Sequence, residues 1–163
     1  MNEHRVISHR GNLSGPSKDK ENQPLEIDKA IEFGFDVEVD VWNVNQKLFL
    51  GHDKPETPVS LDFLYERREF LWVHCKNSEA IASLMGSDLN FFFHDKDLHA
   101  LTSKGFLWSR PGYYRYCSEE ILVMPERLFD FQGSSWFTKE LDFYGVCTDY
   151  PLDFLQSWAS VSL

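Results

Sequence analysis

The chain has 163 residues, of which 42% are hydrophobic and 15% aromatic, and a net charge of −10. That length suits one domain of about 100–200 residues with a sizeable core, and the acidic balance argues against nucleic acid and anionic membrane surfaces as partners. No apolar run approaches the about 20 residues of a membrane span, nothing at the N-terminus has a secretory pattern, and the cysteines Cys75, Cys117 and Cys147 form no metal-finger spacing. The expectation is a single reduced, soluble, cytoplasmic domain over residues 1–163.

Arg5 to Ser8 predicts a short apolar strand that delivers His9, Arg10 and Gly11 at its end, before Asn12 to Lys20 breaks into a Gly/Pro/Ser/Lys loop. Gln23 to Phe33 predicts a helix with Leu25, Ala30, Ile31 and Phe33 as its apolar stripe and Gly34 as C-cap. The next strand is the most informative stretch: Phe35, Val37, Val39 and Val41 alternate with Asp36, Glu38 and Asp40, so one face is apolar and the other acidic. If helices cover the apolar face, Glu38 and Asp40 point together into an interior, where unpaired carboxylates repel and lose hydration. A hard divalent cation such as Mg2+ or Ca2+ would supply the missing charge. The competing reading is an acidic edge strand facing water.

After a polar turn from Asn43 to Lys47, Leu48 to Leu50 predicts a return strand with His52 and Asp53 beyond it. Pro55 and Pro58 stiffen a turn, Val59 to Arg68 predicts a helix opened by Ser60, and Phe70 to Cys75 predicts a strand on which Trp72, His74 and Lys76 share one parity. Asn77 and Ser78 cap a helix over Glu79 to Met85, and Asn90 to His94 predicts a strand followed by Asp95, Lys96 and Asp97. Leu98 to Ser103 predicts a helical turn, and Gly105 to Ser109 and Ile121 to Met124 predict strands. Arg127 to Leu141 has no clean period; Tyr144 to Thr148 closes as a strand ending in Asp149, Tyr150 and Pro151, and Leu152 to Ser160 predicts a terminal helix. Strands alternating with helices, each strand followed by polar residues, predict an α/β fold, an abbreviated TIM (β/α) barrel with its site at the C-terminal face. An open doubly wound sheet is the alternative. Barrels of this kind usually need about 200 residues or more, so this one must have trimmed helices or a missing layer.

His9-Arg10-Gly11, the Glu21-Asn22 pair, Glu38-x-Asp40, Gly51-His52-Asp53, the lysine-ended strand at Lys76, and Gly145 to Asp149 follow one another in the order seen in glycerophosphodiester phosphodiesterases. The chain resembles that family, and more widely the phospholipase C-like phosphodiesterase superfamily, from Val6 to about Pro151. The resemblance implies a TIM barrel that hydrolyses a small-molecule phosphodiester with a divalent metal. It implies His9 and His52 as the general acid/base pair, a role suited to imidazole near neutrality. It also implies Glu38, Asp40 and Glu21 as metal carboxylates, and Arg10 and Lys76 as cations for the substrate phosphate. In this family the attacking group is often a neighbouring hydroxyl of the substrate, which gives a cyclic phosphate.

One departure stands out. Where the family's third strand typically has Glu two residues before its lysine, this chain has His74. Imidazole suits Mn2+, Zn2+ or Fe better than Mg2+ or Ca2+, so His74 is a replacement ligand, a water-holding group or a sign of weakened metal binding. His94 ends the next strand and could face the same cavity. Duller roles compete: Arg10 and Lys76 as structural ion partners of the acidic strand, Glu21 as a charge at a helix N-terminus, and the aromatic residues as core. Two other functions fit the same residues. One is a phospholipase- or lyase-type relative that releases a cyclic phosphate; the other is a non-catalytic phosphate-ligand binding module that keeps Arg10 and Lys76.

Overall fold

The computed structural model describes residues 4–130 and 141–161. Along the chain the elements are β1 (Arg5–His9), α1 (Pro24–Glu32), β2 (Asp36–Val44), β3 (Lys47–Leu50), β4 (Thr57–Val59), α2 (Leu61–Glu66) and β5 (Leu71–Cys75). They continue with α3 (Ser78–Leu84), β6 (Asn90–Phe92), β7 (His99–Leu101), β8 (Leu107–Ser109), β9 (Glu120–Val123), β10 (Gly145–Thr148) and α4 (Pro151–Val161). A 3-10 turn, Pro125–Arg127, follows β9.

The alternation on β2 sets the architecture. Val37, Val39 and Val41 are fully buried on one face beneath Ile27 and Ala30 of α1, Leu64 of α2, and Ala80 and Leu84 of α3. Burying each such side chain is worth about 1.5–3 kcal/mol, so the apolar face holds the helices and the acidic face must turn inward. Asp36, Glu38 and Asp40 are accordingly buried. The inner face has its own core of Ile7, Trp72, Phe92, Trp108, Ile121 and Cys147. Because side chains alternate along a strand, the residue two places beyond each of four of these is His9, His74, His94 or Asp149. Each of these four inward rows thus runs from apolar to polar.

Parallel pairing gives the strand order β6-β5-β2-β1-β10-β9-β8, with β7 antiparallel on β8. The strands β3 and β4 form an antiparallel ribbon on the overhanging end of β2. The sheet curls until its ends approach: just past β7, the Ser103 N–H donates to the Phe91 carbonyl at 2.7 Å and the Ser103 hydroxyl accepts the Phe91 N–H at 3.0 Å. Among the described residues no ladder joins β6 to β7 or β8. The result is a mixed α/β fold with a curled, largely parallel sheet. No helix among the described residues is long and apolar enough to cross a membrane.

Several local expectations are corrected. Leu98 to Ser103 is not a helical turn: Gly105, at φ 88°, reverses the chain, Thr102 and Phe106 close the loop by hydrogen bonds, and His99–Leu101 pairs antiparallel with β8. The turn after β2 is only Asn45 and Gln46, both left-handed at φ 52° and 63°, so β2 runs on to Val44. Val59 belongs to β4, where Pro58 is tolerated at a sheet edge, and the helix starts after Ser60, whose hydroxyl accepts the Phe63 N–H at 3.1 Å. Of the aperiodic stretch Arg127 to Leu141, residues 131–140 lie outside the described residues.

Candidate active site

The site begins where β1 ends. After His9 the backbone is left-handed at Arg10 (φ 57°) and Gly11 (φ 82°), and a Cβ on Gly11 would stand 3.2 Å from the Glu26–Ile27 peptide. Glycine therefore lets the start of α1 pack against the end of β1. Asn22 is also left-handed (φ 58°) and clamps Asp40 twice: its amide donates to Oδ2 at 3.0 Å, and its Oδ1 accepts the Asp40 N–H at 2.9 Å.

Pairing of β2 with β5 sets Asp40 opposite His74. One donor atom from each of Glu38, Asp40 and His74 lies within 4.8 Å of the others, so the three could hold a metal ion. His74 Nδ1 is 2.9 Å from Asp40 Oδ1 and 3.7 Å from Glu38 Oε1, while its Nε2 is 3.4 Å from the His94 carbonyl. The His74 ring stacks on Phe92 (5.1 Å, 1°) and on His94 (4.4 Å, 5°).

The two carboxylates differ electrostatically. Asp40 is fully buried, yet Arg10 Nε lies 3.1 Å from it, His52 Nδ1 3.2 Å and Lys76 Nζ 3.3 Å. Burial alone would raise its pKa, but hydrogen bonds from His52 and His74, with the charge of Lys76, hold it well below the usual carboxylate range. Glu38 is pushed the other way, by burial first and by the charge of Asp40 second. Its Oε2 is buried without a hydrogen-bond partner. A carboxylate driven toward protonation by desolvation and a like charge is one that a cation would stabilise.

His9 is held by Asp149, with Nδ1 at 2.7 Å from Oδ1. Its other nitrogen, Nε2, faces Glu38 Oε2 at 3.9 Å. Burial works against the imidazolium, but the Asp149 hydrogen bond and the Glu38 charge outweigh it, and the pKa is raised. Burial also opposes the Asp149 carboxylate, and there the His9 hydrogen bond and charge win, so its pKa is lowered. Asn12 donates to Asp149 Oδ1 at 2.8 Å, and the Asp149 N–H donates to Glu126 Oε1 at 3.0 Å.

His52 follows Gly51, whose φ of 149° and lack of room for a Cβ near the Lys54 carbonyl both demand glycine. Its Nε2 accepts from Arg10 Nη2 at 3.2 Å, which leaves Nδ1 to donate to Asp40 Oδ2, also at 3.2 Å. Arg10 Nη1 donates to Glu21 Oε2 at 3.0 Å, whereas the Nε–H has no aligned acceptor despite its closeness to Asp40.

His9, Arg10, Glu38, His52 and His74 line one cavity of about 460 Å3, with His94 beside them. Asp40 and Lys76 sit behind that wall as an ion pair, and Glu21 is engaged by Arg10 and Asn12 at 3.0 and 3.3 Å, outside the three-donor group. A larger hollow of about 770 Å3 lies beside Glu126, Asp149 and Tyr150 and is not lined by the three-donor group. Sequence reasoning missed Asp149, Asn12 and Asn22 as partners. The signal for Asp149 was the polar residue following the last strand, but it acquires meaning only from the pairing Ser8↔Thr148, which sets His9 beside it.

The donor chemistry fits a divalent cation: two carboxylates, an imidazole Nδ1, and a backbone carbonyl facing the other ring nitrogen, as metal-bound histidines commonly have.

No family model matches the chain, and no curated protein matches it. Among solved structures, one from Galdieria sulphuraria, provisionally assigned as a glycerophosphodiester phosphodiesterase, is similar over 96% of this chain and 98% of that one, at 10% identity and a TM-score of 0.47. That likeness is too slight to establish fold or activity.

Proposed function

We propose that this protein is a metal-dependent phosphodiester hydrolase acting on a small glycerophosphodiester-type substrate, with its curled sheet serving as an abbreviated TIM barrel. The observation that carries this reading is Glu38 Oε2, buried without a partner inside the three-donor group and 3.9 Å from His9 Nε2. Glu38, Asp40 and His74 would hold the metal, and the imidazole favours Mn2+ over Mg2+ or Ca2+. Glu21 is assigned to the same centre through Arg10. When bound, the metal supplies Lewis acidity toward a phosphoryl oxygen.

The residues divide the remaining work. Arg10 presents its guanidinium fork to the phosphate, and Lys76 holds Asp40 ionised behind it. His9, kept protonated and oriented by Asp149, donates its Nε2 proton to the leaving alkoxide. His52 is the base: Nδ1–H is committed to Asp40, and Nε2 accepts the proton of the attacking hydroxyl or water once Arg10 Nη2, its donor in this structure, turns to the phosphate. An attacking hydroxyl within the substrate would release a cyclic phosphate from the same machinery.

One observation favours a second reading, a phosphate-binding module without turnover. Asp40 is already engaged by Arg10, His52, His74 and Lys76, so protein cations supply part of the charge a metal would bring. Phosphorus NMR decides between them: the protein is incubated with mixed glycerophosphodiesters in Mg2+, Ca2+ or Mn2+ and in chelator, beside a His9→Ala control. A monoester or cyclic phosphate signal that needs metal and vanishes in the control supports the hydrolase. Its absence with every metal, from folded protein, leaves the binding module.

A further inference from the structure

The cavity lined by His9, Glu38 and His74 also takes in three further cations. Lys96 follows β6 at one end of the curled sheet, and Arg110 and Arg127 follow β8 and β9 toward the other, so both ends of the sheet bring cations to the same cavity. None of the three forms an ion pair among the described residues. This is unusual company in a chain with 26 acidic and 16 basic residues, where carboxylates to pair with are plentiful. Asp95 and Asp97 also line that cavity, but Asp97 Oδ2 is turned to the Asp95 N–H at 3.2 Å. Like charges gathered without partners repel one another, and a bound anion relieves that repulsion.

The scissile phosphate is already provided for by Arg10, His9 and His52, which line the same cavity. A volume of about 460 Å3 falls within the about 300–1,000 Å3 of small-molecule sites and far exceeds what one phosphate fills. We propose that the substrate carries a second anionic group, a phosphomonoester on the part of the molecule that reaches across the cavity, seated on Lys96, Arg110 and Arg127. The two guanidinium forks suit the oxygens of a terminal phosphate better than those of a neutral alcohol. This inference rests on the phosphodiesterase reading for the identity of the first phosphate, while the second site stands on its own cations.

The test is calorimetry in Mg2+ buffer with two probes, propane-1,3-diyl bisphosphate and propyl phosphate. The wild type should bind the bisphosphate about tenfold or more tighter than the monophosphate, the gain expected from additional charge-assisted hydrogen bonds. The Lys96→Gln/Arg110→Gln/Arg127→Gln variant should lose most of that ratio, and Arg110→Gln alone should lose part of it. All three side chains are exposed, and an unchanged circular dichroism spectrum checks that the fold persists. An equal ratio in wild type and triple variant, or no preference in the wild type, overturns the second site. A preference lost in the variant, from protein that turns over no diester, would retain the anion site and reject the hydrolase; turnover without any preference would do the reverse.

Discussion

Asp149→Asn isolates the pairing on which the proposed acid depends. The Nδ1–Oδ1 distance of 2.7 Å is that of a charge-assisted hydrogen bond, and the side chains are only 13% and 8% exposed, so solvent screens it little. Such a bond contributes about 1.5–3 kcal/mol, and asparagine nearly preserves the shape while removing the charge. The sign follows from the two shifts. The raised pKa of His9 makes its contribution fully present below the ordinary imidazole value and lost as pH rises through the folded value. The lowered pKa of Asp149 makes its contribution present above the ordinary carboxylate value and lost as pH falls through the folded one. The stability deficit of the variant should therefore be greatest between about pH 4 and 6.5 and shrink toward pH 9. Urea denaturation in chelator across pH 4 to 9 measures it, and imidazole NMR titration should show the His9 pKa falling. A deficit independent of pH, with an unchanged His9 titration, would refute the pairing. If the phosphodiesterase reading holds, the same variant should lose about 10- to 100-fold in kcat/KM.

Three further outcomes follow from the same geometry. Glu38→Gln removes a buried charge that burial and Asp40 both disfavour, so in chelator its Tm should rise by about 2–4 °C, while Mn2+ affinity read by electron paramagnetic resonance should drop; a lower Tm with intact Mn2+ binding would contradict this. His94, partly buried and next to His74, has its pKa pushed down to about 4. Its neutral form is thus favoured in the folded state, and stability should fall as pH drops from about 6.5 to about 4. His94→Gln should flatten that slope by about 1–2 kcal/mol after solvent screening, measured by urea denaturation in chelator. Gly51→Ala forces a Cβ toward the Lys54 carbonyl at φ 149°, costing about 1–3 kcal/mol and displacing His52; a wild-type Tm would show that the turn yields freely.

Much of the site was legible because strand periodicity acts over two residues. The alternation from Phe35 to Val41 placed Glu38 and Asp40 on one face, and the same rule put His74, on β5, and Lys76, just past its end, on the side of Asp40. The short-range rule failed where a turn, rather than a repeat, decides the element. Gly105 made Leu98 to Ser103 half of a hairpin, and Asn45-Gln46 shortened the turn after β2. What no local pattern contains is which strand lies next to which.

That limit separates the two sources of information. The sequence by itself determined the acidic face of β2, the polar ends of the parallel strands and the shared parity of Trp72 and His74 on β5, because these depend on residue identity and on a period of two. Only the tertiary structure decided that Asp149 holds His9, that Asn22 clamps Asp40, that Phe92 and His94 both stack on His74, and that Lys96, Arg110 and Arg127 line the same cavity as Glu38. His9 and Asp149 are 140 residues apart, and their contact follows from β1 and β10 pairing side by side, a choice made by burial over the whole sheet.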